Sequence, residues 1–271
     1  MNLVKITALA LLSCLILVSS LVQATDQARE KRWAAQIQET LLIGDAVWLK
    51  DGKGKKFFSI YTQASSKPKG AVLMLHGLGM HPDWPEVISP VRRALPEQAW
   101  ATLSLQMPIL PAGAPLTAFG PIFDETPARI HAGIKFLRAK GIKHIVLLGH
   151  DMGAAMGAAY IMKEQPPHID AFIGIAMDAP TPNSTIKKFD PRLNTTDLIG
   201  QLKLPVLDVY GSLDIKRITD LAPSRVASAK QVGNEKFKQV RIPDADHFFT
   251  NRDKDLVRAI TQWLAKSATE F

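Results

Sequence analysis

Short apolar runs and longer amphipathic stretches alternate along this chain. Residues 70–75, 100–105, 145–148, 169–175, 205–210 and 237–242 are runs too short for helices, bounded by glycine, proline or charge, and they read as strands. Between them, residues 86–95, 125–140, 217–232 and 253–266 carry apolar positions at helical spacing, as with Leu256, Ile260 and Leu264. Ahead of this series, residues 26–38 read as a short amphipathic helix. Residues 41–48 and 56–63 read as two strands joined through Asp51-Gly52-Lys53-Gly54, a strong hairpin signal. Residues 107–123 and 177–204 are proline- and glycine-bearing loops with little regular structure. Regular alternation from residue 70 onward predicts an α/β domain: a mostly parallel central sheet with helices on both faces and an antiparallel hairpin at its start.

The stretch from 145 to 160 organises the rest. An apolar strand, residues 145–148, runs into Gly149-His150-Asp151-Met152-Gly153 and then into a helix of small residues, Ala154, Ala155, Gly157, Ala158 and Ala159. Glycines two positions before and two after Asp151 let the backbone bend where a Cβ would clash. This strand–turn–helix has the form of a nucleophile elbow, G-x-S-x-G, with aspartate in the serine position. In open α/β sheets, sites lie beyond the carboxyl ends of the strands. His76, Asp151, Asp214 and His247 all follow predicted strands, so topology alone gathers them on one edge.

Composition adds the compartment. Residues 1–24 hold Lys5, an apolar stretch and a small-residue site ending at Ala24, the layout of a secretory signal peptide, which leaves residues 25–271 as one domain. The single cysteine, Cys14, falls inside that leader, so the expected mature chain has no disulfide, thiolate metal site or cysteine nucleophile. A periplasmic or secreted location follows. The formal charge of +8 includes Lys50, Lys53, Lys55 and Lys56 around one turn, with Lys67 and Lys69 soon after. These read as a solvated face, or as a footing for peripheral contact with an anionic membrane or cell-wall polymer. No interleaving of basic and aromatic residues points to nucleic acid.

These motifs together resemble the α/β-hydrolase superfamily, over about residues 40–268. His76-Gly77-Leu78-Gly79 stands where that family places its oxyanion loop, Asp151 at its nucleophile, Asp214 at its triad acid and His247 at its histidine, in the family order. The phrase His81-Pro82-Asp83-Trp84, with the leader, is similar to a group of uncharacterised exported bacterial hydrolase-like proteins. Gly149-His150-Asp151 is similar to the elbows of haloalkane dehalogenases and epoxide hydrolases. The chain departs from both. Met152 stands where dehalogenases carry tryptophan, Gly79 closes the first loop in a pattern nearer esterases, and residues 177–204 are too few for a helical cap and contain no tyrosine.

The resemblance implies a hydrolase of a small ester-like or related substrate, with Asp151 as nucleophile or water-orienting carboxylate, His247 as base and Asp214 as the orienting acid. Asp178 is the substitute for Asp214. Leu78, Gly79, Met152, His76 and His150 make up the expected oxyanion and binding groups. No cofactor or metal is expected. A second reading is a hydrolase-like binding protein without chemistry, its carboxylates and imidazole forming a charged pocket. A third is a divalent-ion site built from Asp151, His247 and Asp214.

Overall fold

The computed structural model describes residues 25–166, 168–179 and 190–267. The expected leader with Cys14, and the middle of the 177–204 loop, lie outside them. Among the described residues no helix is long and apolar enough to cross a membrane.

In chain order the elements are α1 (Gln27–Thr40), β1 (Asp45–Lys50), β2 (Lys56–Thr62), β3 (Gly70–Leu75), α2 (Ile88–Ala94), β4 (Trp100–Leu105), α3 (Gly120–Ala139), β5 (Ile145–His150), α4 (Met152–Glu164), β6 (Ala171–Ile175), α5 (Thr195–Ile199), β7 (Val206–Gly211), α6 (Lys216–Gln231), β8 (Phe237–Ile242) and α7 (Asp253–Ser267). The eight strands lie in one sheet in the order β1-β2-β4-β3-β5-β6-β7-β8. β1 and β2, and β2 and β4, are antiparallel, and every other pairing is parallel. This is the fold of the α/β-hydrolase superfamily without a large cap domain.

Alternation along the central strands explains the layers, because neighbouring side chains leave opposite faces of a sheet. Leu73, Leu75 and Leu147 pack with Ile130 and Ile134 of α3 and Ala154 and Ala158 of α4. Val72, Met74, Val146 and Leu148 pack on the other face with Val91 of α2, Ile218 of α6 and Ile260 and Leu264 of α7. Strands covered on both faces read as continuous apolar runs, which is why residues 70–75 and 145–148 stood out. Helix α1 covers the start of the sheet, with Ala34 and Ile37 against Phe58 and Ile60.

Three expectations need correction. α3 begins at Gly120, ahead of the expected residue 125. Pro121 sits in its first turn, where a missing N–H costs nothing, and Ile122 and Phe123 are buried. The first strand runs Asp45–Lys50 and not 41–48, leaving Leu42 90% exposed ahead of it. The 177–204 loop includes α5, whose N-cap Asn194 side chain accepts from the Asp197 N–H at 3.3 Å.

The chain runs outward from the centre in both directions. After β3 it continues through α2 to β4 on one side, and after β5 through α4 to β6 on the other. The crevice beyond the carboxyl ends of β3 and β5 is therefore the switch point of the sheet, the place where open α/β sheets hold ligands. The 76–79 loop and Asp151 both open into this crevice from those two strand ends.

Candidate functional site

Asp151 sits between β5 and α4 with φ 51° and ψ −120°. A non-glycine residue held there carries roughly 1–3 kcal/mol of backbone strain, which surrounding structure must over-determine. Its N–H donates to Ile175 O at 2.9 Å, and its carbonyl accepts from Ala154 N–H at 3.0 Å. The flanking glycines are needed for close approach. A Cβ on Gly149 would stand 2.4 Å from Ala154 N, and one on Gly153 would stand 2.3 Å from Leu75 O.

The facing loop supplies the partner. Leu78 N–H donates to Asp151 Oδ2 at 2.9 Å, and a Cβ on Gly77 would lie 3.0 Å from that same oxygen. Gly79 follows at φ +67°, a left-handed conformation. Met152 is the first residue of α4, where a helix leaves its N–H groups without intrahelical acceptors. Of the expected oxyanion groups, the structure thus brings Leu78 directly onto Asp151.

His76 and His150 are bonded to backbone carbonyls on either side of the elbow. His76 is buried. Its Nε2 accepts from Met107 N–H at 2.9 Å, which fixes the tautomer, so Nδ1–H donates to Gly77 O at 2.9 Å. The Gly77 carbonyl and the Leu78 N–H belong to one trans peptide and point in opposite directions. By holding the carbonyl, His76 turns the N–H towards Asp151. His150 is also buried, and its Nε2–H donates to His247 O at 3.1 Å, tying the elbow to the histidine loop.

His247 follows β8 and donates from Nδ1 to Asp214 Oδ1 at 2.8 Å, leaving Nε2 as the basic nitrogen. Asp214 Oδ1 also accepts from Ile215 N–H at 2.7 Å. The two loops meet because β7 ends in Gly211, where a Cβ would stand 2.2 Å from Ala245 O. Burial works against a charged His247, but the hydrogen bond to Asp214 and the charges of Asp151, Asp214 and Asp178 outweigh it and raise its pKa above 6.5. Asp151 therefore lies within electrostatic reach of the imidazole.

Asp214 holds the histidine, and Asp178 has a different partner. Asp178 takes a two-point ion pair from Arg217 and accepts from Ala179 N–H at 2.7 Å. Arg217, which belongs to no motif along the chain, lies in the first turn of α6. Its pKa is raised chiefly by the Asp178 hydrogen bond, and the Asp151 charge contributes. Among the described residues no group of three or more His, Cys, Asp or Glu side chains is arranged to hold a metal ion, so the divalent-ion reading has no ligand set there.

The two buried histidines make a stability prediction. Burial lowers the pKa of His76 to about 3 and that of His150 to about 4. In the unfolded chain both take up protons near pH 6.5, so their contribution is complete above that pH and is lost as pH falls through a window that ends at about 4 for His150 and about 3 for His76. Each can steepen the loss by up to about 1.4 kcal/mol per pH unit. Urea unfolding of wild type and His76→Gln at pH 7, 6 and 5 reads this contribution directly. The stability gap between the two should narrow towards low pH, and a constant gap would contradict it.

Solved structures share the fold. Est1E from Butyrivibrio proteoclasticus is 20% identical with a TM-score of 0.60, over 83% of this chain and 99% of that one. XC6422 from Xanthomonas campestris, described as an α/β serine hydrolase without lid, is 18% identical with a TM-score of 0.56, over 83% and 95%. Esterase Pf2001 from Pyrococcus furiosus is 15% identical with a TM-score of 0.65, over 85% and 92%. No curated protein matches the sequence. Residues 6–120 and 122–266 match the family described as protein of unknown function DUF3530, and the chain, on its α/β-hydrolase fold, belongs to that family.

Proposed function

We propose that this protein is an exported hydrolase of small ester-like or related carbon electrophiles, working through an aspartyl-ester intermediate on Asp151. One observation carries this reading: the Leu78 N–H is already bonded to Asp151 Oδ2. If a substrate oxyanion were to form, that donor would be engaged elsewhere. If the oxyanion forms on Asp151 itself, the donor is in place beforehand, which is what electrostatic stabilisation of a transition state requires.

The steps follow. Asp151 Oδ1 attacks an electrophilic sp3 carbon, forming a C–O bond, and the leaving group departs with the electrons of the broken bond. The leaving group is a carboxylate or similar anion from an activated alkyl ester, a halide, or the opened oxygen of an epoxide. His247 Nε2 then takes a proton from water as the water oxygen adds to Asp151 Cγ. Negative charge develops on Oδ2 under the Leu78 N–H. Collapse expels the alkoxide, which takes the proton back from His247. The Asp151 carboxylic acid left behind gives its hydroxyl proton to solvent, or to the alkoxide of an opened epoxide, so the free carboxylate returns. Asp214 holds the imidazole in the tautomer this needs. Solved neighbours named as esterases support hydrolysis of an ester-like bond. The leader pattern of residues 1–24 supports export, and exposed Lys50, Lys53 and Lys56 offer a peripheral footing on an anionic envelope surface.

The test is a trap. His247→Gln keeps Asp151 but removes the base, so the ester should form and persist. Incubated with a panel of epoxides, haloalkanes and activated alkyl esters, this variant should gain the mass of one alkyl group on the peptide containing Asp151. No adduct, no wild-type turnover, and a rise in melting temperature with one of these compounds would establish the binding-protein reading instead.

A further inference from the structure

Helix α1 reaches the Leu78 loop by two routes that start from one turn of the helix. On the first, the Arg29 guanidinium lies 4.3 Å over the Trp33 ring and donates from Nη2 to Gly79 O at 3.4 Å. Trp33 meets His81 edge-on at 5.3 Å, and His81 meets Trp84 at 5.2 Å. On the second, the buried Glu30 carboxylate takes both Arg129 guanidinium nitrogens at 3.0 and 3.1 Å. Arg129 Nη1 donates to Gln106 O at 2.7 Å, and the Gln106 amide nitrogen lies 3.0 Å from His76 Nε2. His76 in turn holds Gly77 O. The carbonyls on either side of Leu78, those of Gly77 and Gly79, are therefore both fixed, and both lines of support lead back to residues 29–33.

We propose that α1 is the positioning element of this site: Arg29 and Trp33 from one side, and Glu30 through Arg129 from the other, hold the Leu78 peptide so that its N–H stays on Asp151. The part α1 plays in turnover rests on Asp151 as nucleophile. Its hold on the loop does not. Gly79, at φ +67°, has nothing within 4 Å of the point where a side chain would begin. The loop's own support is the buried Met80, whose N–H donates to Gly77 O at 3.2 Å, so the contacts from α1 add the hold on the Gly79 side. His81 fits the same role. Burial lowers its pKa, and a neutral ring can accept the Asp83 N–H at Nδ1, 3.3 Å away.

A helix that only stabilised the fold would lower the melting temperature without loosening one amide. The experiment compares Arg29→Ala, Trp33→Leu and Arg29→Lys with Lys31→Ala, which changes an exposed residue of the same helix. Hydrogen exchange at the Leu78 amide is followed by NMR, with kcat and KM on any substrate the wild type turns over. Leu78 exchange should quicken about tenfold in Arg29→Ala and Trp33→Leu, recover partly in Arg29→Lys, and stay at the wild-type rate in Lys31→Ala. kcat should fall about tenfold with KM unchanged, since small misplacements of a reacting group act on the chemical step. Wild-type Leu78 exchange in both Arg29→Ala and Trp33→Leu would overturn the proposal. Should Trp33→Leu fail to fold, Arg29→Ala decides alone. If the wild type turns nothing over, the proposed hydrolysis fails and amide exchange still decides the hold on the loop.

Discussion

Replacing Asp151 by asparagine is expected to lower turnover by on the order of 10⁴-fold or more, as loss of a covalent nucleophile does elsewhere, with the fold kept. The amide matches the carboxylate in size, and its oxygen can still accept the Leu78 N–H, so the elbow loses only the negative oxygen that attacks. Loss of activity alone would leave open whether Asp151 attacks carbon or orients water. An isotope settles this. In a single turnover in ¹⁸O-water, the water oxygen adds to Cγ, so heavy oxygen should appear in the Asp151 peptide and the first equivalent of product should carry none. Heavy oxygen in the first product, with Asp151 unlabelled, would rule out the ester intermediate and make Asp151 a base. The same Asn variant removes one of the charges that raise His247, so the imidazole midpoint should fall, which an NMR titration of the ring reads.

The parts of this molecule that could be read from the chain are those set by local spacing. The strands at 70–75, 100–105 and 237–242 begin and end where their apolar and turn residues say. The elbow was legible because glycines at two and two from Asp151 leave few other conformations for the turn. α3 was partly missed because Gly120 and Pro121 read as loop, although proline in a first turn starts helices well. What could not be read depends on partners distant in sequence. The choice between Asp214 and Asp178 is decided by Arg217, 39 residues beyond Asp178, which claims that carboxylate and leaves Asp214 for His247. His76 lies at the loop, buried, with its Nδ1–H on the Gly77 carbonyl. The direction of its ring is set by Met107 N–H, 31 residues on. Arg29 and Gly79 are 50 residues apart, and no periodicity relates them.

Gly153→Ala should be the most damaging single-methyl change at the elbow. The new Cβ would lie 2.3 Å from Leu75 O and 2.5 Å from His76 O. Both are backbone atoms at the end of β3, a strand held by parallel pairing to β4 on one side and β5 on the other, so neither can move aside as a side-chain tip would. The strain must be taken up by α4, yet lifting α4 withdraws Ala154, Ala155 and Ala158 from the core. Overpacking costs are typically about 1–3 kcal/mol, and a backbone-on-backbone clash belongs at or above the top of that range. Against a total stability of roughly 5–15 kcal/mol, that should appear as a clear drop in the urea midpoint. Gly141→Ala is the matched control, because Gly141 has φ +79° with nothing within 4 Å of its would-be Cβ. Only left-handed strain is paid there, about 1–2 kcal/mol. Equal losses in the two variants would mean that close approach is not what Gly153 provides. Because the displaced carbonyls lead directly into His76 and the Leu78 peptide, Gly153→Ala should also cost activity in whatever fraction remains folded, whereas Gly141→Ala should leave kcat at the wild-type value.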